Sequence, residues 1–202
     1  YCAWNLHEKK EGEWDFTGIL DLKKYLELAQ KLGLYIVMRP GPYICSECDL
    51  GGLPWWLLKD ENMQLRCYYK PYLEKVKIYL EKICDIIRPF LITNGGNIIM
   101  VQVENEYGGV AQDRAYLEEL AKYYREFGID VPFITSDGEE EYMLRDGTFP
   151  DAIKAVNYRW NSPRAIDALK KAFPDNPPAV MELWNGQQSH WEMKRLPKRD
   201  LE

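Results

Sequence analysis

Gly95-Gly96-Asn97-Ile98-Ile99-Met100-Val101-Gln102-Val103-Glu104-Asn105-Glu106-Tyr107-Gly108 is the stretch on which the fold turns. Residues 98–103 are short, apolar and preceded by glycines, which is the pattern of a buried strand. The run then breaks into two carboxylates and an amide. In a parallel α/β barrel, chemistry sits where a strand gives way to a loop. Downstream, residues 113–127 read as an amphipathic helix closed by Gly128. Residues 133–135 and 153–156 read as strands. Ser162-Pro163 opens a helix to about residue 173, and residues 179–181 form a further strand after Pro177-Pro178. Upstream, Pro71 opens a long helix with Leu73, Val76, Leu80, Ile83 and Ile87 on one side. Residues 35–38 form a strand that runs into the loop Arg39-Pro40-Gly41-Pro42-Tyr43. Residues 21–32 place Leu22, Leu26, Ala29 and Leu32 on one helical face, and Gly33 stops that helix.

This alternation predicts an α/β fold with a parallel sheet of five strands, plus a remnant of a sixth at residues 1–4. An eight-stranded barrel takes about 250 residues, and the chain has 202. The expectation is therefore an incomplete (β/α)8 TIM barrel. A doubly wound nucleotide-binding sheet is the competitor. It calls for a glycine-rich loop between a first strand and its helix, and Gly51-Gly52 stands in no such context.

Hydrophobic residues make up 46% of the chain, which supports a sizeable core. Fourteen Tyr and seven Trp make it rich in aromatic faces, which fill cores and also suit sugar rings. The net charge of -6 argues against a nucleic-acid partner, because phosphate binding needs a basic footprint. No apolar run approaches the roughly 20 residues that span a bilayer. Five cysteines lack the spacing of a disulfide scaffold. Cys45 and Cys48 form a CxxC, but no second pair accompanies it, and His7 and His190 are the only imidazoles. No metal and no cofactor are expected.

Glu106 ends one strand, and Glu182 follows the apolar run Ala179-Val180-Met181. Two carboxylates on separate strand ends are the residue set that glycoside hydrolysis uses. The residues around them resemble glycoside hydrolase family 35, the retaining β-galactosidases. Trp4-Asn5-Leu6-His7-Glu8 is similar to the family's segment after its second strand. Arg39 to Glu47, with Gly51-Gly52-Leu53-Pro54-Trp55-Trp56-Leu57-Leu58, is similar to its third strand end and the loop beyond. Gln102 to Gly108 is similar to its acid/base signature. The likeness covers essentially the whole chain. It implies a partial catalytic barrel domain over residues 1–202, from late in strand two to just after strand seven.

The resemblance implies an acid/base role for Glu106, a nucleophile role for Glu182 and a contact from Asn105 to the sugar 2-hydroxyl. It also implies a galactose subsite lined by Tyr1, Cys45, Ser46 and Glu47. Glu104 shares the strand face with Glu106 and is expected to pair with a cation, Arg39 being the candidate. Trp184 and Trp191 flank the nucleophile segment, where either is placed to stack on a sugar. Two positions depart from the family pattern: Gln187, five residues after Glu182, and Cys48 both stand where the family has Trp. The partner implied is a β-galactoside glycan, in a secreted, periplasmic or lysosomal setting. A related exo-glycosidase such as an exo-β-glucosaminidase, and an inactive carbohydrate-binding fragment, remain the alternatives.

Overall fold

In the computed structural model, the described residues are 1–158, 162–184 and 191–194. They alternate along the chain as α1 (Trp4–His7), α2 (Leu22–Lys31), β1 (Ile36–Gly41), α3 (Lys70–Ile87), β2 (Ile98–Val103), α4 (Arg114–Glu126), β3 (Phe133–Gly138), α5 (Glu141–Asp146), β4 (Ala152–Tyr158), α6 (Ser162–Ala172) and β5 (Val180–Leu183). All neighbouring strands pair in parallel, in the order β1-β2-β3-β4-β5. Sequential parallel strands linked by helices are the repeat of a (β/α) barrel, here an incomplete one of five strands.

The local causes are those legible in the periodicity. The side chain of Asp21 caps α2 by accepting from the Lys24 N–H, and that of Asp113 caps α4 by accepting from the Tyr116 N–H. Pro71 lies in the first turn of α3, where its missing N–H costs nothing. The predicted face of α3 is buried to the last residue, with Val76, Leu80, Ile83 and Ile87 fully enclosed. On α2, Leu22, Leu26 and Ala29 are buried, but Leu32 lies in the C-cap and is exposed. The largest enclosed side chains are aromatic: Trp4, Tyr72, Tyr79, Tyr107, Tyr116, Tyr124 and Phe133. The rings of Trp4 and Tyr79 stack at 4.7 Å. The Tyr79 hydroxyl donates to the Cys2 and Pro40 carbonyls, which ties α3 to the start of the chain and to the end of β1.

The chain start differs from the expected strand remnant. Trp4 already belongs to α1, and only the Cys2 N–H continues the ladder, donating to the Arg39 carbonyl at 3.0 Å. The short helix α5 is an element that periodicity did not signal. It lies against the turn after β2, which the site requires.

Among the described residues no helix is long and apolar enough to cross a membrane. All five cysteines are free thiols, including Cys45 and Cys48.

Candidate active site

The carboxyl ends of all five strands converge on one polar surface. Arg39 to Gly41 close β1, Glu104 to Glu106 follow β2, Asp137-Gly138 close β3, Asn157-Tyr158 close β4 and Glu182-Leu183 close β5. Main-chain hydrogen bonds carry the ladder past β2. The Glu104 N–H donates to the Gly41 carbonyl at 3.1 Å and the Glu106 N–H to the Ser136 carbonyl at 2.9 Å. Glu104 and Glu106 both take left-handed backbone, with φ of 60° and 47°. A non-glycine residue there costs about 1–2 kcal/mol. Such strain gathers where side chains must be aimed.

Arg39 organises the first half of the site. It is almost fully buried, and its guanidinium donates from Nη1 to the Tyr1 hydroxyl. From Nη2 it reaches Asn105 Oδ1 at 2.5 Å and Glu182 Oε1 at 2.8 Å. Glu182 also accepts from the Tyr1 hydroxyl at 3.4 Å and, on Oε2, from the Trp184 indole N–H at 3.1 Å. Donors therefore hold both Glu182 oxygens. Burial pushes the pKa of the Tyr1 hydroxyl up; Arg39 opposes the shift, and Glu182 and Glu47 add to it. Gln102 holds the same Asn105 oxygen from its Nε2 at 3.1 Å.

Glu104 does not pair with Arg39, contrary to expectation. Its partner is Arg66, which donates from Nε to Oε1 at 3.0 Å and from Nη2 to Oε2 at 2.8 Å. The Tyr116 hydroxyl adds a bond to Oε1 at 3.1 Å, and the Asn105 N–H one to Oε2 at 2.7 Å. The reason is geometric. Arg39 points across the sheet to β5, while Arg66 enters from the long β1–α3 connection and lies over the Tyr43 ring at 3.6 Å. Burial works against the charge on Arg66, but the Glu104 carboxylate outweighs it and the guanidinium pKa rises.

Glu106 sits in different surroundings. Its Oε1 accepts from the Asn157 amide at 3.0 Å, and Asn157 Oδ1 in turn accepts from the Ser136 hydroxyl at 2.5 Å. Asn157 is the register partner of Glu182 on β5. Partners in register on neighbouring parallel strands present their side chains to the same face, so the amide bonded to Glu106 shares a face with Glu182. The next residues fix the turn. The Tyr107 hydroxyl donates to the Arg66 carbonyl at 2.9 Å, and the Gly108 N–H donates to Asp137 Oδ1 at 2.9 Å. A Cβ on Gly108 would stand 1.9 Å from the Met143 carbonyl oxygen of α5, so the Asn-Glu-Tyr-Gly turn can only end in glycine. Burial pushes Asp137 up to about 8, with Glu104 and Glu106 adding to the shift.

Cys45, Ser46 and Glu47 form three consecutive left-handed residues, with φ of 58°, 54° and 50°. They sit in the loop after β1, whose base needs Gly51, because a Cβ there would enter the Tyr43 ring at 1.9 Å. Of the predicted residues, Tyr1, Asn105 and Glu182 are joined through Arg39, and Glu106 is bonded to Asn157, the register neighbour of Glu182. Glu47 is exposed and close enough to act on the Tyr1 hydroxyl. Trp191 is almost wholly exposed, and Gln187 and His190 lie outside the described residues. Arg66, Ser136, Asp137 and Asn157 were not anticipated. The signal that finds the last three is the one that found Glu106: a polar residue at the carboxyl end of a strand.

The architecture is that of the α/β barrels, with a polar mouth at the carboxyl ends of the strands. A xylanase of family GH10 from Thermobacillus composti shares this fold, with a TM-score of 0.55, 14% identity and coverage of 95% of this chain and 60% of that one. The chain matches the family Glycosyl hydrolases family 35 over residues 1–201 and belongs to it. It is 39% identical over 198 residues to beta-galactosidase-1-like protein 3 of Mus musculus, covering 98% of this chain and 30% of that protein. It is 40% identical over 193 residues to a beta-galactosidase of Xanthomonas manihotis, covering 95% and 32%. The chain thus spans about 30% of the length of these relatives.

Proposed function

We propose that this chain carries both catalytic carboxylates of a retaining exo-β-galactosidase, with Glu106 as general acid/base and Glu182 as nucleophile. The observation that supports it most is the placing of Asn157, which is bonded to Glu106 and in register with Glu182. Family membership and relatives named beta-galactosidase supply the substrate class. In the first step Glu182 bonds to the anomeric carbon as the glycosidic C–O bond breaks, and Glu106 gives its proton to the departing oxygen. In the second, Glu106 takes a proton from water, whose oxygen displaces Glu182 from the sugar. A retaining geometry needs the two carboxyl groups about 5–5.5 Å apart.

The neighbours suit these roles. Arg39, Tyr1 and Trp184 clamp Glu182 so that it cannot swing from the attacking position. Arg39 and Gln102 occupy Asn105 Oδ1, which turns the amide Nδ2 towards a sugar 2-hydroxyl. Tyr1, Cys45, Ser46 and Glu47 line the galactose side. A 2-deoxy-2-fluoro galactoside tests the assignment, because fluorine slows both steps and traps the ester. Peptide mapping is expected to find the label on Glu182. A label on Glu104 or Glu47, or an inverted product anomer, overturns it. Cys48, in place of the family's Trp, favours a second reading as an exo-β-glucosaminidase. A panel of aryl glycosides decides between the two sugars.

A further inference from the structure

A cavity of about 290 Å³ opens beside Glu106, walled by Glu139, Met143, Asn157, Tyr158 and Trp184. Its position carries the argument. Glu106 is on the wall, whereas Glu182, Arg39 and Tyr1 are not among its lining residues. Trp184 belongs to both sides: it lines the cavity, and its indole N–H is bonded to Glu182 Oε2. A group that touches the acid without touching the nucleophile is the group that leaves with the acid's proton. The volume lies just below the roughly 300–1,000 Å³ of pockets for drug-sized ligands. That is room for one sugar ring, with Tyr158, Trp184 and Met143 as apolar walls.

The chemistry of the wall is one-sided. Glu139 Oε2 is buried and has no hydrogen-bond partner among the described residues. An unmet buried acceptor calls for a donor from the ligand. Glu140 adds another carboxylate to the lining, paired at 3.4 Å with the exposed guanidinium of Arg164, and among the described residues no Lys or Arg belongs to the lining. Like charges set side by side disfavour a wrong partner.

We propose that this cavity is the leaving-group subsite, that it holds a single hydroxyl- or ammonium-bearing sugar through a hydrogen bond to Glu139, and that it rejects a carboxylate-bearing one. The proposal rests on the reading of Glu106 as the acid/base.

The test uses the full-length protein and four β-galactosides, whose leaving groups are methyl, glucose, glucosamine and glucuronate. The expected kcat/KM is at least tenfold higher for the glucosamine-linked than for the glucuronate-linked substrate. Glu139→Leu is expected to lower the glucose-to-methyl ratio of kcat/KM about tenfold, since methanol makes no sugar contacts. Should Glu139→Leu fail to melt cooperatively, Glu139→Gln keeps the shape and is expected to narrow the preference for glucosamine over glucuronate. Equal kcat/KM on the glucosamine- and glucuronate-linked substrates, or Glu139 variants that change no ratio, overturn the proposal. If the wild type hydrolyses no galactoside, the parent reading falls. Saturation-transfer NMR with free glucosamine and free glucuronate then decides the subsite. Preferential glucosamine binding upholds the cavity as a sugar site that rejects carboxylates, and equal or absent binding overturns it.

Discussion

Glu104 and Glu106 stand two residues apart at the end of β2, with the same side chain and the same left-handed backbone, and they are held in opposite ways. Glu104 is 1% exposed on its side chain, and four donor groups occupy its two oxygens. Among the described residues Glu106 accepts one hydrogen bond on its side chain, from a neutral amide, and it faces a cavity. A carboxyl group saturated by a guanidinium, a phenol and a backbone N–H has no free oxygen to bring a proton to a substrate. One beside a neutral amide and open space does. The contrast extends outward. The β1–β2 side of the mouth is cross-linked by Arg39 and Arg66, and the β3–β4 side by Ser136, Asp137 and Asn157, with no cation among the described residues.

The comparison predicts that the two glutamates fail differently. Glu106→Gln should lower turnover on substrates with poor leaving groups by about 10²–10⁴-fold, the usual worth of general acid/base catalysis. Activated aryl galactosides should lose less, and azide should restore turnover by attacking the glycosyl ester. Equal losses on both substrate types, with no rescue, would remove Glu106 from the role. The melting temperature should stay close to that of the wild type.

Glu104→Gln should act the other way, first on stability. Removing one partner of a buried ion pair leaves Arg66 uncompensated, at a cost of about 3–5 kcal/mol. Denaturant melts of the full-length protein should show it as an earlier midpoint. A midpoint within about 0.5 kcal/mol of wild type would mean that Glu104 is replaceable and the contrast false.

A smaller effect is expected from Asn157→Ala, which removes the amide that orients Glu106. A hydrogen bond to a charged group contributes about 1.5–3 kcal/mol. Turnover on poor leaving groups should therefore fall at least about tenfold, with KM changed less than kcat. Ser136→Ala should give a milder version of the same profile, because it acts only through Asn157. Should Ser136→Ala exceed Asn157→Ala, the relay from Ser136 to Glu106 is wrong.

An effect on stability alone, with no change in turnover required, concerns Asp137, whose pKa is raised from 3.8 to about 8 by burial. The native state thus keeps a proton that the unfolded chain releases earlier. The sign follows: this contribution to stability is complete below pH 3.8 and is lost progressively as pH rises towards about 8. Asp137→Asn should flatten the fall in stability over that window, read as denaturant midpoints against pH. An unchanged slope would show that Asp137 ionises in the native state without penalty.

Much of the fold was legible because its signals are local. The helix from Pro71 and the strand at 98–103 declare themselves by spacing, and the structure places them at Lys70–Ile87 and Ile98–Val103. Strand ends were read short: residues 133–135 became Phe133–Gly138, and residues 153–156 became Ala152–Tyr158. The residues passed over, Ser136, Asp137, Asn157 and Tyr158, are polar or aromatic and carry no hydrophobic pattern. The helix at Glu141–Asp146 was missed for want of a full amphipathic turn, yet its Met143 carbonyl makes glycine obligatory at Gly108.

By itself the sequence determined the repeating unit, the parallel sheet and the position of Glu106 and Glu182 at strand ends, since each depends on period and punctuation within a few residues. The partners of those carboxylates were decided by the tertiary structure alone. Arg39 was the nearest candidate for Glu104, but strand order carries its side chain to Glu182, 143 residues away along the chain. Arg66, from a connection without periodicity, takes Glu104 instead. The physical reason is that an ion pair is chosen by distance and direction in space. A parallel sheet puts side chains from distant strands closer to one another than sequence neighbours that point to opposite faces.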